Sequence, residues 1–132
     1  MTMTEEGIMK DNNSSSTIHA VRGAVQLPKD SIMAMRDGVT ELIPALCKAN
    51  GISEPDIVSI QFTQTDDLTA ANPARELRSI GFASTPLFCA AEPLYPDYLP
   101  RTVRVLLTFR GSAEHAPQSV YLGGARVLRS DT

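Results

Sequence analysis

"FCAAEPLYPDYLPRTVRVLLTFRG", residues 88–111, decides how the rest of the chain is understood. Two apolar runs flank a proline-rich connection. The first, carrying Phe88 and Cys89, ends on Glu92. The second holds Arg104 between Val103 and Val105, with Leu106 and Leu107 following. Short aliphatic and aromatic runs bounded by prolines and glycines read as strands. A guanidinium taken into an apolar strand is costly unless it is paired or turned toward water or a ligand. The fold therefore includes a sheet, and the sheet has a reason to hold Arg104.

Working outward, residues 17–27, "TIHAVRGAVQL", form another strand with Arg22 inside it. The segment "PKDSIMAMRDGVTELIPALCKANG" has Ile32, Met35, Val39, Leu42, Ile43 and Leu46 at helical spacing. Asp30 or Ser31 can cap its start, Gly51 can end it, and Pro44 should kink it. A strand is expected over residues 57–63, then a short helix opened by Asn72 and Pro73. A third strand covers residues 84–92, a fourth 103–109, and after a short turn around Tyr121 a last strand runs through Val127. The order βαβαβββ predicts one α+β domain, a mixed sheet with helices on one face. Residues 1–16 are polar and aperiodic and are expected to be a disordered tail, leaving residues 17–132 as the domain.

The chain has 132 residues, enough for one cored domain, and a net charge of −3. This balance gives no basis for a nucleic-acid or anionic-membrane surface. No apolar run reaches the roughly 20 residues of a membrane span, and no signal peptide is visible. Cys47 and Cys89 lack metal-ligand spacing and suggest reduced thiols in the cytoplasm. His19 and His115 are far apart in sequence and read as surface or satisfied residues rather than ligands. There is no Gly-rich phosphate loop, zinc motif or nucleophile elbow.

What remains is arginine. Nine of the twelve basic residues are Arg, which a GC-rich genome would also produce. Three of them, Arg22, Arg104 and Arg129, lie in or beside apolar strands. One such residue is ordinarily a structural ion pair or points to water. Several in so small a chain favour an anion site, because the guanidinium fork matches carboxylates. Arg75 and Arg78, three apart on the short helix, can share a side of it, or form a solvated face paired with Glu76.

"VRGAVQL", "TQTDDLTAANPARELR", "PLFCAAEP", "RTVRVLLTF" and "VYLGGARVLR" follow one another with suitable gaps. Together they resemble the AroH-class chorismate mutases, the small α/β class, over residues 18–131. The resemblance implies a barrel-like homotrimer that rearranges chorismate to prephenate, the branch step toward phenylalanine and tyrosine, without cofactor or metal, in three clefts between subunits. It implies Arg22, Glu92 and Arg104 as catalytic groups. It adds Ala74, Arg75, Arg78, Phe88, Cys89, Tyr121, Leu128 and Arg129 as further substrate-binding positions. Two positions depart from the family's usual pattern. Asn72 stands where an aromatic residue is common, which removes an apolar wall at the rim, and Arg75 stands where lysine is common, which keeps the charge.

The implied reaction is a pericyclic shift that needs no nucleophile or general base. A protein can hold the flexible dianion in a compact pose and place positive charge where the breaking ether oxygen becomes negative. On that reading Arg104 is aimed at a ligand and Glu92 shares its site. A trimeric RidA-type protein that binds or deaminates a small carboxylate is the alternative. A catalytically dead regulatory subunit is a third reading, disfavoured by the retention of Arg22, Glu92, Arg104 and Tyr121.

Overall fold

The computed structural model describes residues 16–131. The expected tail lies outside the described residues except for Ser16, which opens the first strand. The elements are β1 (Ser16–Gln26), α1 (Ile32–Asn50), β2 (Ile57–Gln64), α2 (Pro73–Leu77), β3 (Leu87–Ala91), β4 (Thr102–Ser112), β5 (Val120–Leu122) and a terminal 3₁₀ helix (Gly123–Asp131). The five strands form one sheet in the order β3-β2-β4-β1-β5. The central strand β4 runs antiparallel to both β1 and β2, while β1 pairs parallel with β5 and β2 with β3. The sheet is mixed, as expected.

Helix α1 begins where Ser31 accepts a hydrogen bond from the Ala34 N–H at 3.0 Å. It ends on Gly51, whose φ of 63° is the left-handed conformation in which a side chain would be strained. It continues unbroken through Pro44, which stands on the exposed face, where the carbonyl that loses its intrahelical donor can meet water. Asp30 does not cap the helix. Its carboxylate accepts from Thr69 Oγ1 and from the N–H groups of Thr69 and Ala70, tying the loop after β2 to the start of α1.

The apolar stripe of α1 packs on one face of the sheet. Met35, Val39, Leu42, Ile43 and Leu46 meet Val21, Val25, Ile60, Phe62, Val103, Val105, Leu107 and Phe109. Full burial of each such large side chain stabilises the fold by about 1.5–3 kcal/mol. Strand pleating turns alternate residues to the other face. That face carries Ala20, Arg22 and Ala24 of β1, and Arg104 and Leu106 of β4.

Two expectations need correction. Tyr121 lies within the last strand, not in a turn before it, and that strand does not run through Val127. It stops at Leu122, because Gly123 takes φ 60° and packs so tightly that a Cβ there would lie 2.9 Å from the Gln26 carbonyl oxygen. The chain then turns into the 3₁₀ helix. Nor are all helices on one face. Ala125 and Leu128 of that 3₁₀ helix pack with Ala24 and Tyr121 in a second small core, on the side away from α1.

Asn50, the last residue of α1, fixes the approach to β5. Its Nδ2 donates to the Leu46 and Gln118 carbonyls, and its Oδ1 accepts from the Gln118 N–H and the His115 Nε2–H. The two histidines, distant in sequence, meet here with ring centroids 5.6 Å apart. Both are occupied in holding structure: His19 Nε2 donates to the Ser112 carbonyl.

Candidate active site

The strand register lines up one row of residues across the sheet. Ala90 of β3 stands opposite Thr63 of β2, Thr63 opposite Arg104 of β4, Arg104 opposite Ala24 of β1, and Ala24 opposite Tyr121 of β5. The next row places Phe88, Gln61, Leu106 and Arg22 in the same sequence of strands. Arg22, Ala24, Gln61, Thr63, Arg104 and Tyr121 line a recess of about 330 Å³ on this face. Arg104 also borders an adjoining recess of about 340 Å³ lined by Glu92, Leu128 and the proline-rich loop after β3. The pairing suspected from sequence is present: Arg104 Nε lies 3.2 Å from Glu92 Oε2. The two groups attract by charge but are not aligned for a hydrogen bond, since Arg104 Nε has no hydrogen-bond partner.

The start of β4 is held firmly. Arg101 adopts φ 51°, an uncommon conformation for a residue with a side chain. Its N–H donates to both carboxylate oxygens of Asp67, and its Nε donates to the Leu27 carbonyl at 2.9 Å. Thr65 and Thr102, both buried, bond to each other through backbone and hydroxyl. Arg104 therefore projects from a strand anchored just two residues before it.

Tyr121 is 5% exposed. Among the described residues, its hydroxyl and Arg104 Nε are buried side-chain polar atoms without a hydrogen-bond partner. Buried hydroxyls are ordinarily hydrogen-bonded, so an orphan in a recess lining points to a missing ligand or partner. Together with two guanidinium groups, the recess fits a small anion.

The other expected site residues lie elsewhere on the chain. Arg75 borders a separate recess of about 580 Å³ with Gln64, Asn72 and Glu76. Ala74 packs against the main core. Asn72 caps α2, its Oδ1 accepting from the Ala74 and Arg75 N–H groups, which gives this departure a structural role. The Arg78 guanidinium donates to the carbonyls of Phe82, Ala83 and Thr85, fixing the loop before β3. Phe88 is 64% exposed on the open face. Cys89 alternates to the core side, where its thiol donates to Gln64 Oε1 at 3.2 Å and burial raises its pKa. Arg129 is exposed on the 3₁₀ helix.

Thr63 and Gln61 are lining residues that sequence reasoning missed. Alternation with Ile60 and Phe62 is the signal that puts them on the face opposite the core, but only the register with β4 reveals that this face carries the recess.

A mixed sheet with an arginine-bearing recess on one face defines a small α+β domain suited to an anionic metabolite. Comparison with known proteins narrows this. The sequence pattern of the family described as chorismate mutase type I matches residues 18–132. The chain is 36% identical over 116 residues to the chorismate mutase AroH of Thermus thermophilus, covering 86% of this chain and 95% of that protein. It is 27% identical to the AroH of Bacillus subtilis strain 168 over the same length, covering 86% and 91%. A solved chorismate mutase from Clostridium thermocellum superposes with a TM-score of 0.76 at 34% identity, covering 83% of this chain and 99% of that one. The chain belongs to the chorismate mutase type I family.

Proposed function

We propose that this chain rearranges chorismate to prephenate in clefts between copies of a homotrimer. In each cleft Arg22, Phe88, Glu92, Arg104 and Tyr121 of one copy face Ala74 and Arg75 of the next. The orphan Tyr121 hydroxyl, in a recess shared with Arg22 and Arg104, carries this reading. Membership of the family favours it over a RidA-type carboxylate binder.

The chemistry asks for positioning and charge. Arg22 and the Tyr121 hydroxyl are placed to hold a carboxylate, and Arg104 to meet the ether oxygen as negative charge develops on it. Glu92 accepts a hydrogen bond from the ring hydroxyl and steadies Arg104. Because the anchored strand already points the guanidinium at the recess, little reorganisation is needed during the reaction.

The shared cleft is supported by two features. Ala74 and Arg75 do not border the Arg104 recess within one chain. The open face also exposes Ile18, Leu106 and Phe88, an apolar strip that association would cover. The neighbour proposed for such a strip is a second copy of this chain. No helix among the described residues is long and apolar enough to cross a membrane, and both cysteines are free; we place the enzyme in the cytoplasm.

The test is complementation. Arg22→Ala and Arg75→Ala chains are purified separately, then refolded together, and loss of chorismate absorbance is followed. Mixed trimers should recover turnover that neither variant has alone. A fully active monomer in sedimentation at assay concentration would overturn the shared cleft, and a parent chain with no chorismate turnover would overturn the activity.

A further inference from the structure

We infer that Thr63 is a positioning residue for the rearrangement: its hydroxyl holds one oxygen of Glu92 and so keeps Arg104 free for substrate. The inference rests on the roles proposed above for Glu92 and Arg104.

Thr63 stands directly opposite Arg104 in the β2–β4 pairing and lines the same recess. Its Oγ1–H donates to Glu92 Oε1, while Glu92 Oε2 lies 3.2 Å from Arg104 Nε. The two carboxylate oxygens are therefore held from two different strands. The backbone of Glu92 is fixed by its N–H, which donates to the Gln64 carbonyl at 2.8 Å. That bond sets where the side chain starts but leaves its torsions free.

Arginine and carboxylate left to themselves tend to pair fork to fork, with two parallel N–H···O bonds. Such a pair would draw the terminal Nη donors of Arg104 onto Glu92. Those donors are the ones a developing oxyanion requires. With Oε1 engaged by Thr63, the contact between Glu92 and Arg104 runs from Oε2 to Nε. The hydroxyl thus turns a neutralising ion pair into an orienting contact. A serine could do the same; a valine has the shape but no donor.

The experiment compares Thr63→Val and Thr63→Ser in the full chain, measuring kcat, KM and thermal midpoint. Loss of a hydrogen bond to a charged group predicts that Thr63→Val loses about ten- to a hundredfold in kcat. KM should change by less than about threefold, because the defect lies in what Arg104 offers the transition state. Thr63→Ser should recover kcat to within about threefold of the parent. In a Glu92→Gln background the same Thr63→Val change should cost little more, since the two act as one unit. Thr63→Val turning over at the parent rate would overturn the inference while leaving the proposed function standing. An equal loss with and without Glu92, or a loss that serine fails to recover, would also overturn it. A parent without chorismate turnover would instead sink the functional reading beneath it.

Discussion

Removing the Tyr121 hydroxyl separates stability from function. The residue is 5% exposed and its hydroxyl has no partner. An unsatisfied buried polar group costs the fold about 1–3 kcal/mol. Tyr121→Phe deletes that cost and leaves the ring packed among Ala24, Ala125 and Leu128. The variant should therefore melt higher. At about 3–5 °C per kcal/mol for a domain of this size, the rise is a few degrees or more. If the hydroxyl donates to a substrate carboxylate, the lost charge-assisted bond is worth about 1.5–3 kcal/mol, and kcat/KM falls about ten- to a hundredfold. Thermal melts at one fixed protein concentration and chorismate kinetics on the same preparation read both. A variant that melts lower and turns over normally would show that the hydroxyl has a structural partner in the assembly. The reasoning from the orphan atom would then be refuted.

Replacing Arg104 with citrulline keeps the shape but removes the charge. It should lower kcat about 10²–10³-fold with KM within about tenfold, while the melting midpoint barely moves, because the Arg104 side chain is 41% exposed and its pair with Glu92 contributes about 0–1 kcal/mol; a near-parent kcat would contradict the electrostatic role. Asp30 has a pKa held below 3.8 by the Thr69 hydroxyl and then the Ala70 N–H. Its contribution to stability is present above that value and is lost as pH falls through the lower folded one, so Asp30→Asn should flatten part of the acid limb of urea midpoints between about pH 5 and 2. The Cys89 thiol is pushed above 9.0 by burial, so it stays protonated at neutral pH and Cys89→Ser should keep most activity. Its stabilising term is complete below the unfolded pKa and disappears as pH rises through the folded value, and rapid iodoacetamide labelling of Cys89 at pH 7 would contradict this. Asn50→Ala strips a buried residue of four hydrogen bonds and should destabilise by about 2–4 kcal/mol, measured as a lower urea midpoint with unchanged slope.

The strands and the long helix were legible in the sequence because their signals are local. The α1 stripe and the Arg104 strand could be read from spacing alone. The last strand was misjudged because "VYLGGARVLR" has strand-like composition on both sides of a glycine whose left-handed backbone ends the pairing. Asp30 and Ser31 were both open as the cap of α1; Ser31 takes it, and the partners of Asp30 lie 39 and 40 residues away. The suspected pairing of Glu92 and Arg104 was right. Thr63 went unseen, since its place beside them exists only through the β2–β4 register. Long-range register is the information a single sequence expresses least directly.

That register also explains why the recess forms where it does. Adjacent strands stand about 4.8 Å apart, so Arg104 and Tyr121, separated by β1, lie roughly 10 Å apart across the row. Between them the sheet offers Ala24, too small to fill the gap. A large side chain there would fill the recess between the guanidinium and the hydroxyl. Below that row, Leu106 and Phe88 give the same face an apolar margin, while Arg22 returns a second charge two residues along β1 from Ala24. Charge, void and apolar edge thus alternate at strand spacing. Under the proposed function, such an alternation would grip the carboxylates and ether oxygen of a dianion at separate points and pack its ring against carbon. A pocket lined uniformly with arginine would bind the charge without selecting the compact pose that the rearrangement requires.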